Sequence, residues 1–389
     1  MYTGRTVFAQ VMDFLPWHTF RKCVERYRGD HKTHHFACSD QFRCMAFAQL
    51  TYRESLRDTV TCLSALRSQL YHAGIHRAVS KSTLADANEH RDWRSDAEFA
   101  AALIQHARAL YHDEPFSLEL TEAVYALDAT TIELCLALFP WARFKREHGA
   151  ITLHTLLDLK SHIPSFLNIT DGKVIDVRIL DVLVPEPGSV YVLDRGDIDF
   201  TRLSTLAQSA AFFVIRSRDN LQCRRLYAHP VDKTSGLRCD QTMALTGVHS
   251  ATDYPVPLRR IRYVDPVREQ PLTFLTNHFQ LPALTVAPLY KARWQIELFF
   301  KWIKQHLRIK AFYGTSANAV KTQVWIAITV YVLVAIIKKR LRLQVSLYTL
   351  LQLLSVTLFE KVPLLQVVTP TAVTDEHPSD CKQLMLFEL

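Results

Sequence analysis

An α/β protein led by an all-helical segment is the architecture this 389-residue sequence predicts, and three observations predict it. Apolar residues recur at helical spacing from the N-terminus to about residue 115. After residue 120 the pattern gives way to short runs rich in Val, Ile, Leu and Phe, several bounded by Gly, Pro or Asp. From Arg216 to about Gln280 the chain alternates strand and turn patterns and carries many arginines, before a helix begins near Tyr290.

Taken in order, Thr6 to Tyr27, Asp40 to Leu70 and Asp96 to Tyr111 each read as amphipathic helix. Between the second and third lies Y-H-A-G-I-H-R-A-V-S-K-S-T-L-A-D-A-N. A glycine turn followed by Ser80 or Ser82 as N-cap of a short polar helix is compatible with helix-turn-helix geometry, which makes Ser82, Thr83 and Asn88 candidate DNA-reading side chains. Strands are expected at Ala123 to Asp128, Ile151 to Leu159, Ser165 to Thr170, Ser189 to Asp194 and Ala211 to Ile215, with helices at about Lys173 to Leu183 and Asp199 to Ala210. Three strands in meander, then helix, strand, helix and strand, is the order of a ribonuclease H-like sheet. The expected domains are a helical, DNA-binding N-terminal domain at 1–118, a catalytic core at 119–216 and 281–315, and a β-rich insertion at 217–280. C-terminal helices at 316–362 and a tail of mobile composition at 363–389 complete the chain.

A net charge of +8 and a pI near 9.0 favour a polyanionic partner, and 49% hydrophobic residues with 22% charged argue against disorder. Eight cysteines without a C-x-x-C pair suit a reducing cytoplasm rather than a disulfide framework. His34, His35, Cys38 and Cys44 lie close in sequence, but no second paired knuckle follows to support zinc. Met1 to Asp13 lacks the apolar core of a signal peptide. The longest apolar run, Val324 to Ile337, is 14 residues and shorter than the roughly 18 to 20 of a membrane span, so a buried helix and no membrane partner are expected.

Chemistry concentrates in Y-K-A-R-W-Q-I-E-L-F-F-K-W-I-K, Tyr290 to Lys304. On one helix Tyr290, Arg293, Glu297 and Lys304 project within a wedge of roughly 60°, beside an apolar stripe of Ile296, Phe299, Phe300, Ile303 and Leu307. Two predicted strands end in an acid, A-L-D at Asp128 and V-L-D-R-G at Asp194. Sheets place ligand sites beyond strand ends, so these two acids and Glu297 could converge on divalent cations. Hard oxygen ligands suit magnesium, and two such ions about 4 Å apart would activate an attacking oxygen and stabilise a leaving one.

The spacing Y-x2-R-x3-E-x6-K at Tyr290, Arg293, Glu297 and Lys304 resembles the signature of DDE transposases of the bacterial insertion sequence four family. L-D-A-T-T-I at 127–132, T-D-G-K-V-I-D at 170–176 and V-L-D-R-G at 192–196 look like that family's acidic regions, and F-A-Q-L-T-Y-R-E-S-L-R-D at 47–58 resembles its helical domain. The likeness runs from about residue 5 to 345. It implies DNA cleavage at element ends and strand transfer into target DNA, with Asp128, Asp194 and Glu297 holding two Mg2+ ions, Mn2+ being able to substitute. Tyr290, Arg293, Lys304 and Arg195 would hold DNA, and a homodimer would pair the terminal inverted repeats in a bacterial cytoplasm, at the nucleoid.

Two features depart from the family pattern. Asp197 follows D-R-G where relatives often carry Tyr, adding an acid that could mark an inactive copy. The insertion contains no Trp, so Tyr227, Tyr254, Tyr263 or Phe274 would have to replace the aromatic that hairpin-forming members place against a flipped base. Asp158, Asp171, Asp176 and Asp181 read as turn and helix-end residues, His154 and His162 as structural or exposed, and Trp294 and Trp302 as packing residues. Gln383, Leu384, Leu386 and Phe387 in the final Q-L-M-L-F-E-L resemble the peptide by which bacterial proteins bind the replication sliding clamp.

Overall fold

Among the described residues, seven helices precede the sheet: α1 (Val7–Met12), α2 (Trp17–Arg26), α3 (Cys38–Leu50), α4 (Leu56–Ala65), α5 (Arg67–Leu70), α6 (Lys81–His90) and α7 (Arg94–Tyr111). The computed structural model describes residues 4–33, 35–114, 116, 118, 120–144, 148–172, 176–218, 220–265, 270–306 and 312–369. Two helical runs expected to be continuous are broken. Pro16 precedes α2 and cannot donate to a preceding turn, while Tyr52 adopts φ +57° and Ser55 opens α4 by accepting the Asp58 N–H. Ser80 caps α6 in the same way, accepting from Thr83 N–H at 3.0 Å.

Nine strands follow among the described residues: β1 (Val124–Leu134), β2 (Gly149–Asp158), β3 (Pro164–Asp171), β4 (Val190–Leu193), β5 (Phe212–Arg216), β6 (Cys223–His229), β7 (Leu237–Leu245), β8 (Leu258–Val264) and β9 (Pro271–Thr276). They form one sheet in the order β3-β2-β1-β4-β5-β9-β8-β7-β6. β1, β2 and β3 are an antiparallel meander, and β4 lies parallel to both β1 and β5. β9 then pairs antiparallel with β5, so the four strands after residue 220 extend the same sheet. α8 (Phe200–Gln208) makes the crossover from β4 to β5, and α9 (Val248–Asp253) joins β7 to β8. The helix expected at about Lys173 to Leu183 is instead a 3-10 stretch at Asp176–Asp181, with 173–175 outside the described residues.

Alternation along the strands gives the sheet two apolar faces. Val124, Ala126, Val190, Val192, Val214 and Phe274 face one core; Tyr125, Leu127, Tyr191, Leu193, Phe213 and Ile215 face the other. The first face carries α10 (Ala283–Ala292), α11 (Trp294–His306) and α12 (Ala317–Arg340), and α13 (Leu347–Thr357) and α14 (Leu364–Val368) follow. α12 is long and apolar enough by length and composition to cross a membrane, yet 94% of its most apolar window is buried inside the protein. It packs along α7 and against α3 and α6, so the N-terminal helices and the late helices share one core. Tyr331 on α12 meets Phe299 and Trp302 edge-on and donates to the His162 carbonyl, which clamps the back of α11.

Candidate active site

β1 runs past the expected strand end. Its last pairing with β4 is Ala126 to Val192, two residues before Asp128, and β2 pairing continues to Leu134. Asp128 therefore sits within a strand, at the point where the β4 side has opened. Asp194 follows β4 directly and starts a 3-10 turn at Arg195–Asp197. Glu297 lies in the first turn of α11, whose opposite side is anchored by the fully or nearly buried Ile296, Phe299, Phe300 and Ile303.

Arg293 joins the three acids. Its Nη1 donates to Asp128 Oδ2 at 2.8 Å, and its Nη2 donates to Glu297 Oε1 at 3.0 Å and lies 3.9 Å from Asp194 Oδ1. The Tyr290 hydroxyl donates to Asp194 Oδ1 at 2.8 Å. Lys304 Nζ donates to the Thr131 carbonyl at 2.8 Å, which pins α11 across β1. The expected single helix is in fact two: Arg293 is the junction between α10 and α11 and continues the path by donating its N–H to the Tyr290 carbonyl. Tyr290, Arg293 and Glu297 still converge on the acids, while Lys304 reaches β1 at Thr131.

Burial separates the two aspartates chemically. It pushes Asp128 above the ordinary carboxylate range, and the Arg293 charge opposes this without cancelling it. Burial acts in the same direction on Asp194, but the Tyr290 hydroxyl, the Arg195 N–H and the Arg293 and Arg216 charges together hold it below that range. The Tyr290 phenol is itself pushed up, by burial and by its bond to Asp194.

Arg216, absent from the sequence-derived site, ends β5. Because Leu193 pairs with Ile215, it stands level with Asp194 on the adjacent parallel strand. The signal was V-I-R at the end of a core strand. Asp197 is buried, and its Oδ2 accepts the Asp194 N–H at 3.2 Å, fixing the turn that aims Asp194.

Several assignments change. Asn88 is 2% exposed, accepts from Gln41 and lends its carbonyl to Asn318, so it builds the α3–α6–α12 junction and does not face a ligand. Ser82 and Thr83 are exposed at the start of α6. Trp294 is 58% exposed, not a packing residue, whereas Trp302 packs on Tyr331. Tyr254 and Phe274 are buried, Tyr263 is partly buried, and Tyr227 is 59% exposed on β6. Asp158 accepts turn N–H groups from Lys160 and Ser161, and Asp181 pairs with Arg202. Gln383, Leu384, Leu386 and Phe387 lie outside the described residues, as do the side chain of Asp176 and all of His34.

Among the described residues no three His, Cys, Asp or Glu side chains lie close enough together to hold a metal ion. Arg293 stands among the three carboxylates instead. Hard oxygens sharing one positive charge are nonetheless a donor set that fits a divalent cation. Such a cluster, flanked by cations at the strand ends of an α/β sheet, suits an enzyme that works on a phosphate polyanion.

Residues 119–333, more than half of the chain, match the family described as Transposase DDE domain, and residues 3–76 match a domain of unknown function, DUF4372. The chain belongs to the DDE transposase family, whose members depend on divalent metal ions and catalyse DNA cleavage and strand transfer. It is 32% identical over 255 residues to the Sinorhizobium fredii protein y4zB, named as a transposase, covering 64% of this chain and 71% of that one. Against a Geobacillus stearothermophilus protein named as the transposase of insertion sequence element IS5377 it is 27% identical, covering 56% and 57%. Against a Synechocystis protein named as the transposase of element IS4SA it is 22% identical, covering 55% and 60%. A solved piggyBac transposase synaptic complex with hairpin DNA aligns at TM-score 0.39 and 11% identity over 97% of this chain and 89% of that chain, too distant to carry an argument.

Proposed function

We propose that Asp128, Asp194 and Glu297 are the catalytic carboxylates of this transposase and that they hold two Mg2+ ions. The observation that carries this reading is their convergence on one guanidinium from three separate elements, β1, the end of β4, and α11. The strand order β3-β2-β1-β4-β5 supports a ribonuclease H-like core, with β6–β9 as its β-rich insertion and helices before and after it. When bound, the ions supply Lewis-acid activation of the attacking oxygen and stabilise the leaving one. Asp194, held in its ionised form, is ready to ligate near neutral pH, and Asp197 and Tyr290 fix its direction. Arg293 neutralises the acids in the DNA-free protein and is placed to donate to a phosphate beside the scissile bond, together with Tyr290, Lys304 and Arg195. Ser82 and Thr83 at the exposed start of α6 would contact the terminal inverted repeats, two protomers would pair two ends, and the tail at Gln383, Leu384, Leu386 and Phe387 would dock on the sliding clamp.

The test is incubation of the purified protein with its element's end DNA and a supercoiled target plasmid, with and without Mg2+, comparing wild type with Glu297→Ala and Asp194→Asn. Metal-dependent joining that vanishes in both variants while end binding persists supports the assignment. Joining that survives either substitution sinks it. Clamp docking is lost as a reading if removal of residues 383–389 leaves clamp affinity unchanged.

A further inference from the structure

A cavity of about 660 Å³ opens between α2 and α3, far from the acidic site in sequence and within the segment that matches the domain of unknown function. Trp17, Arg21, Val24 and Arg28 recur along α2 and the turn after it at the spacing of one helix face, and Phe20 and Val24 form a buried apolar floor. Arg43, one turn beyond Ser39 on α3, closes the far wall with its guanidinium 4.1 Å from the Trp17 ring centroid.

Arg43 is the informative residue. It is partly buried, it donates only a long 3.3 Å bond to the Ser39 carbonyl, and among the described residues no carboxylate lies within ion-pair distance of it. Asp40, on the same helix, is committed to the Ala37 N–H, and Asp30, on the cavity wall, to the Cys38 N–H. Desolvation weakens its hold on its proton, and the Asp40 charge on the same helix opposes this without cancelling it. The backbone is built around it: Gly74 has φ +81°, and a Cβ there would come within 2.8 Å of Arg43 Nε. Arg21, Arg28 and His31 add donors at the rim, against Glu25 and the engaged Asp30. A desolvated cation stacked on an aromatic ring and ringed by donors matches a phosphate carrying a sugar or base.

We propose that this cavity grips the phosphodiester backbone of a DNA strand, with Arg43, Arg21 and Arg28 on phosphate and the Phe20–Val24 floor beneath the attached sugar or base. The inference rests on the reading that the N-terminal helices bind DNA, and it gives them a second contact besides the start of α6.

The test uses the full chain and a fluorescently labelled end duplex, with anisotropy read across a salt series. Arg43→Met and the double variant Arg21→Ala with Arg28→Ala are expected to bind about tenfold more weakly, with a salt slope reduced by about one for each phosphate no longer neutralised. Unchanged thermal melting would confirm that each variant is folded; if Arg43→Met fails to fold, the rim double variant decides. Folded variants that bind with wild-type affinity and slope overturn the proposal. Ser82→Asp with Thr83→Asp separates the two readings. Loss of binding in that variant alone removes the cavity and keeps the N-terminal DNA contact; no change in any variant removes both. Thymidine monophosphate raising the melting temperature through Arg43, with DNA affinity unaffected by the variants, would mean a free-nucleotide site and overturn the strand.

Discussion

Replacing Arg293 by Met tests whether the guanidinium neutralises the acidic cluster. The Arg293 side chain is 13% exposed, Asp128 23% and Glu297 36%. Breaking a fully buried pair costs about 3–5 kcal/mol, and an exposed pair is worth about 1 kcal/mol or less. This half-buried arrangement falls between, at about 2 kcal/mol, which corresponds to a fall in melting temperature of roughly 2 °C for a chain of 389 residues. The sign reverses with metal. Divalent cations must compete with Arg293 in the wild type, whereas in Arg293→Met the carboxylates are free to bind them, so added Mg2+ should raise the variant's melting temperature more than the wild type's. Differential scanning fluorimetry with EDTA and then with Mg2+ reads both effects. Equal melting of the two proteins in EDTA, or equal Mg2+ shifts, would refute the reasoning.

Other expectations follow from individual contacts. Tyr290→Phe removes the hydroxyl that holds Asp194 ionised, so strand transfer should fall about tenfold and the acid limb of its pH profile should move to higher pH; an unmoved limb would show that the bond does not tune Asp194. Asp96, buried in the first turn of α7, is pushed up to about 7 by burial. Its folded-state value exceeds its unfolded one, so its contribution to stability is present at low pH and lost as pH rises toward 7. Denaturant titrations at pH 5 and pH 8 should show the wild type losing about 3 kcal/mol relative to Asp96→Asn, and parallel behaviour would remove the assignment. In the sheet extension, Asp240→Ala strands Arg259, which is paired at 2.7 Å with both side chains under 10% exposed. A loss of about 3 kcal/mol is expected by denaturant melt, and the double change Asp240→Leu with Arg259→Met should recover most of it; a double variant as unstable as the single one would contradict the pairing argument.

The acids and their donors were legible because each obeys a local rule. Asp128 and Asp194 follow apolar strand runs, and Tyr290, Arg293, Glu297 and Lys304 follow helical spacing. That spacing survived the break at Arg293, because the junction keeps nearly helical geometry. What stayed hidden depends on partners distant in sequence. Asn88 looked like a recognition residue until Gln41 and Asn318 closed around it. Trp294 looked like a packing residue, yet its side of α11 faces away from the core. Arg216 becomes visible only once β4 and β5 are known to be parallel and in register. The 3-10 stretch at Asp176–Asp181 illustrates the weakest signal, a short polar segment whose periodicity fits several local forms.

The extension of the sheet through β9 has a mechanical consequence. Arg259 on β8 ties Asp240 on β7 to the carbonyls of His278 and Phe279, at the entrance to α10. Because β9 is hydrogen-bonded edge to edge with β5, β6 to β9 form a cantilever fixed to the plate that carries Asp194 and Arg216. A load applied at the β6 rim would pass through the register shifts at Arg225/Tyr227 and Leu237/Cys239 before it reached the strands beside Asp194 and Arg216 as a torque.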